Sequence, residues 1–433
     1  MTPQVRVAVI ARAVAPLHGV GGGLERSVHD LVRYLSSHDV HVTLITRPPT
    51  TPGNPGPSVP NAAGGVLQTQ AGSVIDPRIR TIIVPYRTFP FAGRRGTTVI
   101  DRSTAYPLFG MRAGYVAWQL ARSGRVDLVH AFGASALGYA RKRRQSTVPL
   151  VLNPQGLEEF GATDPARAPV KRAAYLPLRW AVRACAAAAD AVIATDRSLE
   201  PAVRQHLDVP ADRVRIIPNA LDLDLLDRLA TPASGAGIRR RAGIGPRERV
   251  LLSVGRLEAS KGFDVLAAAI AALVEHGTAL VEPWRWVVVG EGPYRGQLER
   301  IITDAGLSNR VLLTGRLPDA DVHAWYEGAT LFVHPTLYEG SSLVTLEAMA
   351  HRRAVVATTA GGIPDKVRPG VNGWLVPPGR ADALAAALSG ALGEAGRLAG
   401  MGQAGRAIVE AEFSWRTIGP ATLRMYDDLL RNH

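Results

Sequence analysis

Short apolar runs that stop at a glycine, a proline or a polar residue, each followed by a stretch with helical spacing, recur along the whole chain. In the first half, Val5–Ile10, His41–Thr46, Thr81–Pro85, Asp127–Ala131, Pro149–Asn153, Ala191–Thr195 and Val214–Ala220 read as strands. In the second half the strands are Arg249–Gly255, Trp286–Gly290, Val311–Gly315, Thr330–Val333 and Arg353–Thr358. Most are apolar at successive positions, as in strands covered on both faces of a parallel sheet. Between them, Leu24, Val28, Leu31, Val32 and Leu35 mark one face of a helix. Phe263–Glu275, the stretch through Leu298 and Ile302, Leu343–Ala350, Asp382–Leu392 and Trp415–Leu430 are further helices. The alternation predicts an α/β fold of doubly wound parallel sheets. Pro48–Pro60 reads as a long surface loop and Thr231–Gly237 as a linker, so the first domain ends around residues 215–225. A helix over Ala166–Ala189 should break or kink at Pro177.

At 433 residues, the chain has room for two or three domains. A hydrophobic share of 46% with 20% charged residues describes a globular protein with ample core. The single cysteine, Cys185, excludes a disulfide framework and a cysteine metal site, and it suits a reducing compartment. Arg6 and Arg12 interrupt the N-terminal apolar run, and no uninterrupted apolar stretch approaches the ~18 residues of a membrane span. A cytoplasmic location is therefore expected. The net charge of +13 calls for nucleic acid, anionic lipid or small anions as partners, unless it is only an arginine-rich composition. Nucleic acid is disfavoured, because basic and aromatic residues do not interleave. Arg167, Lys171, Arg172, Arg179 and Arg183 sit among apolar residues in the Ala166–Ala189 helix. That helix reads either as lying on an anionic membrane surface or as packed on its own sheet.

The richest stretch is Tyr338–Ala350. It places Glu339 and Glu347 eight positions apart, with Gly340, Ser341 and Ser342 between them, at a strand-to-helix corner. Ser341 or Ser342 can cap the helix, and Glu347 then lies about a turn inside it. Orphan amides and the helix dipole at such a corner attract an anion, while carboxylates can hold sugar hydroxyls. Two solvated structural glutamates would give the same spacing. The cluster Gly21-Gly22-Gly23 lies between the first strand and the first helix, where backbone can approach an anion or simply turn. His130 ends a strand at the edge where open sheets place ligands, although a structural histidine fits equally well.

Eight motifs in register resemble the retaining GT-B glycosyltransferases of family four, the group 1 type. They are Gly21-Gly22-Gly23, Ile217–Asp222, Gly255-Arg256-Leu257 with Lys261-Gly262, and Gly290–Pro293. The series continues with Gly315-Arg316-Leu317, the Glu339…Glu347 pair with Ala348-Met349-Ala350, Gly361–Pro364 and Asn372-Gly373. The resemblance implies two Rossmann-like domains facing across a cleft. Residues 1–220 would form the acceptor side, 221–410 the sugar-donor side, and 411–433 a helix packing back on the first domain. The reaction implied is retaining transfer from a nucleotide-diphosphate sugar to an acceptor hydroxyl, in cell-envelope polysaccharide, glycolipid or other glycoconjugate synthesis. The acceptor could be lipid-linked, with the protein at an anionic membrane. By the same resemblance, Arg256 and Lys261 neutralise the diphosphate, Glu347 binds ribose and Glu339 contacts the transferred sugar. The amides of Gly340, Ser341, Ser342 and Leu343 meet the phosphate, Arg316 frames the base, and Gly22 and Gly23 approach the phosphates from the first domain. His130 and Gln155 would touch acceptor or sugar, Gln155 standing where many relatives carry a histidine. No metal and no cofactor are expected, and the Asp-x-Asp of Asp222-Leu223-Asp224 is discounted because Asp222 already belongs to the Pro-Asn-Ala-Leu-Asp motif. A GT-B nucleotide-sugar epimerase and a non-catalytic basic membrane-binding protein are the alternatives.

Overall fold

The computed structural model describes residues 5–18, 22–49, 67–68, 78–86, 98–160, 173–275, 277 and 283–432. Gly21, Arg167, Lys171, Arg172 and most of the Pro48–Pro60 stretch lie outside these residues. The chain divides into two compact units. One runs to Asn219 and takes back the chain from Ile418; the other is Ala220–Thr417.

The first unit holds β1 (Arg6–Ile10), β2 (His41–Thr46), β3 (Leu67–Gln68), β4 (Arg80–Ile83), β5 (Leu128–Phe132), β6 (Leu150–Asn153), β7 (Ala191–Ala194) and β8 (Val214–Ile216). They form one sheet in the order β3-β4-β2-β1-β5-β6-β7-β8. Seven strands are parallel, and the two-residue β3 pairs antiparallel at the edge. Val7, Val9 and Ile10 of β1 are fully buried, as strands covered on both faces must be. The helix Gly23–Ser37 buries Val28, Leu31, Val32 and Leu35, the face its spacing predicts. Returning to this unit, the helix Trp415–Arg431 buries Ile418, Thr422, Met425, Tyr426 and Leu429.

The second unit's sheet is wholly parallel. It comprises β9 (Arg249–Val254), β10 (Trp284–Val289), β11 (Val311–Gly315), β12 (Leu331–His334), β13 (Val355–Thr358) and β14 (Gly373–Val376), ordered β11-β10-β9-β12-β13-β14. Counted from its own first strand, that order is 3-2-1-4-5-6, and the direction of winding reverses between β9 and β12. Alternate side chains supply two apolar layers. Val250, Leu252, Val287 and Val289 pack on one face; Leu251, Trp286 and Val288 pack on the other. The loops after β9 and β12 therefore flank the crevice in which open sheets of this kind bind ligands.

One expectation fails here. Thr231–Gly237 is not a linker: Pro232–Arg241 is a helix. Thr231 and Ser234 form a reciprocal capping box at its start. A Cβ on Gly235 would lie 2.6 Å from the backbone of Glu327, so the small residues serve close helix packing. At Pro177 the expected break is present: residues 173–174 are helical, Tyr175 is a turn, and a new helix, Leu176–Ala188, starts after it. The proline sits in the first turn of that helix, where its missing N–H costs no hydrogen bond.

Candidate functional site

The loops around the β9/β12 crevice are locked to each other through backbone. Gly262 has φ +64°, and a Cβ there would lie 2.1 Å from the Pro335 carbonyl. Leu337 N–H donates to Ser260 O at 2.9 Å, and the Thr336 hydroxyl donates to the same oxygen at 3.2 Å. On the other side, Gly361 has φ +55°, and its Cβ would lie 1.9 Å from Glu339 O. Gly362 N–H donates to Gly340 O at 2.8 Å. Only glycine permits these approaches. The Glu339 backbone is thus held between the loops that follow β9 and β13.

This packing brings Lys261 onto Glu339, with Nζ donating to Oε2 at 2.8 Å. The last residue of β12, His334, donates from Nε2 to the same oxygen at 2.9 Å. Burial pushes the Glu339 carboxyl up, but the Lys261 charge and the His334 hydrogen bond outweigh it and hold the group well below the usual range. Burial lowers the His334 pKa, and Lys261 adds to that effect, while Glu339 opposes both. Beyond Glu339, Ser342 caps the helix Leu343–Ala350, its Oγ accepting from Thr345 N–H at 3.3 Å. The N–H groups of that first turn otherwise have no acceptor inside the helix. Glu347, in the same helix, is buried, and its Oε2 accepts from the Tyr326 hydroxyl at 3.0 Å. The Tyr326 ring is stacked on His351, with centroids 5.6 Å apart. Lys366, also buried, donates from Nζ to Ser341 Oγ at 3.3 Å and to Gly362 O at 3.1 Å. An ionised carboxylate, a cation and a helix N-terminus at one sheet edge form a place for an anion bearing hydroxyl groups.

Residues 21–225 match the model of Glycosyltransferase Family 4, and residues 248–394 match that of Glycosyl transferases group 1. The alpha-maltose-1-phosphate synthase of Mycolicibacterium smegmatis is 30% identical over 292 residues, which is 64% of this chain and 73% of that protein. The chain belongs to the family-four, group 1 glycosyltransferases. A D-inositol 3-phosphate glycosyltransferase of Streptomyces bingchenggensis is 26% identical over 442 residues, 99% of this chain and 90% of its own length. Among solved structures, Anabaena HepE in complex with UDP-glucose superposes with TM-score 0.68 at 21% identity, covering 98% of this chain and 99% of that one. The fold is GT-B, with two Rossmann-like parallel-sheet units.

In this glycosyltransferase the expected site residues fall into three groups. Lys261, Glu339, Gly340, Ser341, Ser342, Leu343 and Glu347 lie together on the β9, β12 and β13 side of the second unit. Arg256 and Arg316 stand on the loops after β9 and β11. The Arg256 side chain is 70% exposed, and its Nε lies 3.1 Å from Glu258 Oε1. Arg316 is exposed as well. Gly22, Gly23, His130 and Gln155 belong to the first unit. Gly22 caps the helix Gly23–Ser37 with extended backbone. Gln155 takes φ +64°, and its N–H and side-chain amide both donate to Asn153 Oδ1 at 3.2 Å. His130 does not face an open edge: it is buried beneath the returning helix, with Nδ1 and the Tyr426 hydroxyl 2.6 Å apart. Burial lowers its pKa to about 3. Asp222 caps the helix Leu223–Leu229, accepting from Leu225 N–H at 2.9 Å, and Asp224 pairs with Arg416 at 2.8 Å.

Sequence reasoning missed His334, Tyr326 and Lys366. His334 carried a usable signal, since it ends an apolar strand at a sheet's carboxyl edge, the argument applied to His130. Tyr326 and Lys366 reach the site from separate elements, and only helix packing places them there.

Proposed function

We propose that this glycosyltransferase moves a sugar, with retention at the anomeric carbon, from a nucleotide-diphosphate sugar to an acceptor hydroxyl. The observation that carries this reading is the convergence of Lys261, Glu339 and the capped N-terminus of helix Leu343–Ala350 at the switch point of the second sheet. The diphosphate would lie against the first-turn amides and Lys261, with Arg256 swinging from its exposed position to the same charge. Glu347, fixed by Tyr326, would accept from ribose hydroxyls, and Glu339 from the transferred sugar. Positioning and stabilisation of the leaving diphosphate then supply most of the rate, and the leaving oxygen takes the acceptor's proton on the same face. On this reading Lys261, Arg256 and the helix dipole offset the leaving-group charge without a metal ion. HepE, which was solved with UDP-glucose, has the same fold, in line with a nucleotide-sugar donor here.

The acceptor side of the proposal rests on the first unit's helices. Helices Thr98–Arg122 and Leu176–Ala188 leave Leu108, Tyr115, Leu176 and Trp180 exposed. The Arg141 guanidinium lies 5.9 Å from the Trp180 ring, and Arg122 and Lys142 flank Trp118 at 5.0 and 5.4 Å. Asp127 and Asp190, the acidic residues within 102–148 and 173–190, are paired with Arg6 and Arg143. Such a basic face with protruding apolar side chains suits the anionic inner surface of a membrane and a lipid-linked acceptor. Among the described residues no helix is long and apolar enough to cross a membrane.

A thermal-shift panel of UDP-, ADP- and GDP-sugars tests the donor. A ligand at a hundred times its Kd stabilises by about 2.7 kcal/mol. Lys261→Ala and Glu347→Ala should each abolish the shift in a protein that still folds, the lysine variant with a lower midpoint. Wild-type turnover in either variant would refute this placement of the sugar donor. Failure to float with anionic vesicles at low salt would refute the membrane partner.

A further inference from the structure

Glu339 is held through one oxygen only. Lys261 Nζ and His334 Nε2 both donate to Oε2, at 2.8 and 2.9 Å, and among the described residues nothing bonds Oε1. The surrounding loops fix the Glu339 main chain, so its two side-chain partners decide where Oε1 points. Those partners are not equivalent. On the donor-site reading, on which this inference rests, Lys261 has a second claimant in the diphosphate. An ammonium has three protons and a flexible stem, and a more highly charged neighbour draws it away from a single carboxylate. His334 has no such freedom. It ends a fully buried strand, its side chain is 3% exposed, and its ring is stacked against Phe332 with centroids 6.0 Å apart.

We propose that His334 is a positioning residue whose Nε2–H keeps Glu339 Oε2 in place when Lys261 turns to the phosphates, so that Oε1 stays aimed at a hydroxyl of the transferred sugar. A neutral N–H suits that task better than a second cation, which would also be drawn to the diphosphate. Burial keeps His334 in that neutral form. The bond it makes is charge-assisted and outlasts any rearrangement of Lys261.

The consequence is selective. Loss of the His334 donor should weaken ligands that carry the sugar and spare those that end at the diphosphate, whereas a merely structural histidine would affect both alike. Calorimetric Kd values are compared for UDP with UDP-glucose, ADP with ADP-glucose and GDP with GDP-glucose, using the pair that wild type binds tightest. His334→Leu should leave the bare diphosphate within about twofold and weaken the glucose conjugate by about tenfold or more, the worth of one charge-assisted bond. His334→Gln, whose amide nitrogen reaches about as far as Nε2, should recover most of the difference. His334→Asn, whose amide falls short, should not, and it replaces the leucine variant if that one does not fold. Equal weakening of both ligands, no weakening of either, or equal behaviour of the glutamine and asparagine variants would overturn the proposal. Lys261→Ala separates it from the reading beneath it. If that variant binds the bare diphosphate as wild type does, the diphosphate is not at Lys261 and the donor-site reading itself falls.

Discussion

The Lys261–Glu339 contact can be tested as a pair, with no substrate present. The two groups are 2.8 Å apart, with side chains 20% and 15% exposed. At an effective dielectric of ~20, charges at that separation attract by about 6 kcal/mol, most of it offset by the cost of leaving water. Lys261→Met leaves the buried carboxylate with His334 alone, and should destabilise the second unit by about 3–5 kcal/mol. Glu339→Gln keeps an acceptor but loses the charge, and should cost less. The double variant should be more stable than the sum of the two by at least about 1.5 kcal/mol, the coupling energy of a real pair. Urea unfolding followed through the second unit's buried Trp284, Trp286 and Trp325 reads this directly. The pH dependence supplies an independent sign. In wild type the folded Glu339 pKa is depressed, so its contribution is complete above about 4.5 and is lost as pH falls below that value. Without Lys261 the main force opposing burial is gone. The folded pKa then moves upward, and the acid-side slope that its depression produces shrinks. Additive substitutions, within about 0.5 kcal/mol, or an unchanged pH slope in Lys261→Met would refute the pairing.

Two further outcomes follow from the same structure. Burial of His130 depresses its pKa from 6.5 to about 3, so the unfolded chain binds the proton more readily and stability falls with pH. Between pH 8 and pH 5 that should remove about 2 kcal/mol from wild type, and a His130→Phe/Tyr426→Phe variant should lack this part of the slope in parallel acid-unfolding curves. Gly361→Ala should lower the midpoint of the second unit's unfolding and abolish nucleotide-sugar binding, because its Cβ would meet Glu339 O at 1.9 Å with φ at +55°. An alanine variant that kept both would show that the Glu339 loop is not set by this packing.

The architecture was legible because parallel strands covered on both faces leave unbroken apolar runs, and because Gly262, Gly361 and Pro335 punctuate the loops between them. The corner at Glu339–Glu347 was legible for the same reason: cap, helix and carboxylates are all local in sequence. What escaped was set by packing at a distance. Thr231–Gly237 has the composition of a linker, yet its small residues fit a helix against the backbone of Glu327, nearly a hundred positions later. Helix Thr98–Arg122 contains Pro107, Gly110 and Gly114, which weigh against a helix by propensity. In the fold, the Cβ positions of both glycines would fall on the 134–139 backbone, so the residues that weaken the local signal are those the packing needs. His334 ends β12 and meets a carboxylate, whereas His130, expected at a strand end, stands in the middle of β5 and is covered by the returning C-terminal helix.

The spacing of Glu339 and Glu347 invites a comparison with paired carboxylates that share acid and base duties, and the electrostatics of Glu339 exclude it from the acid's part. Such a dyad needs one member whose pKa is raised so that it carries a proton at neutral pH. Glu339 is driven the opposite way by Lys261 and His334, and has no proton to give. Its Oε2 is also committed to those two donors, which lowers its strength as a base or a nucleophile. Glu347 is buried within a helix, with Tyr326 donating to it. What remains open to both is accepting hydrogen bonds from hydroxyl groups. On the donor-site reading the acceptor's proton goes to the leaving diphosphate, the base that arrives with the substrate.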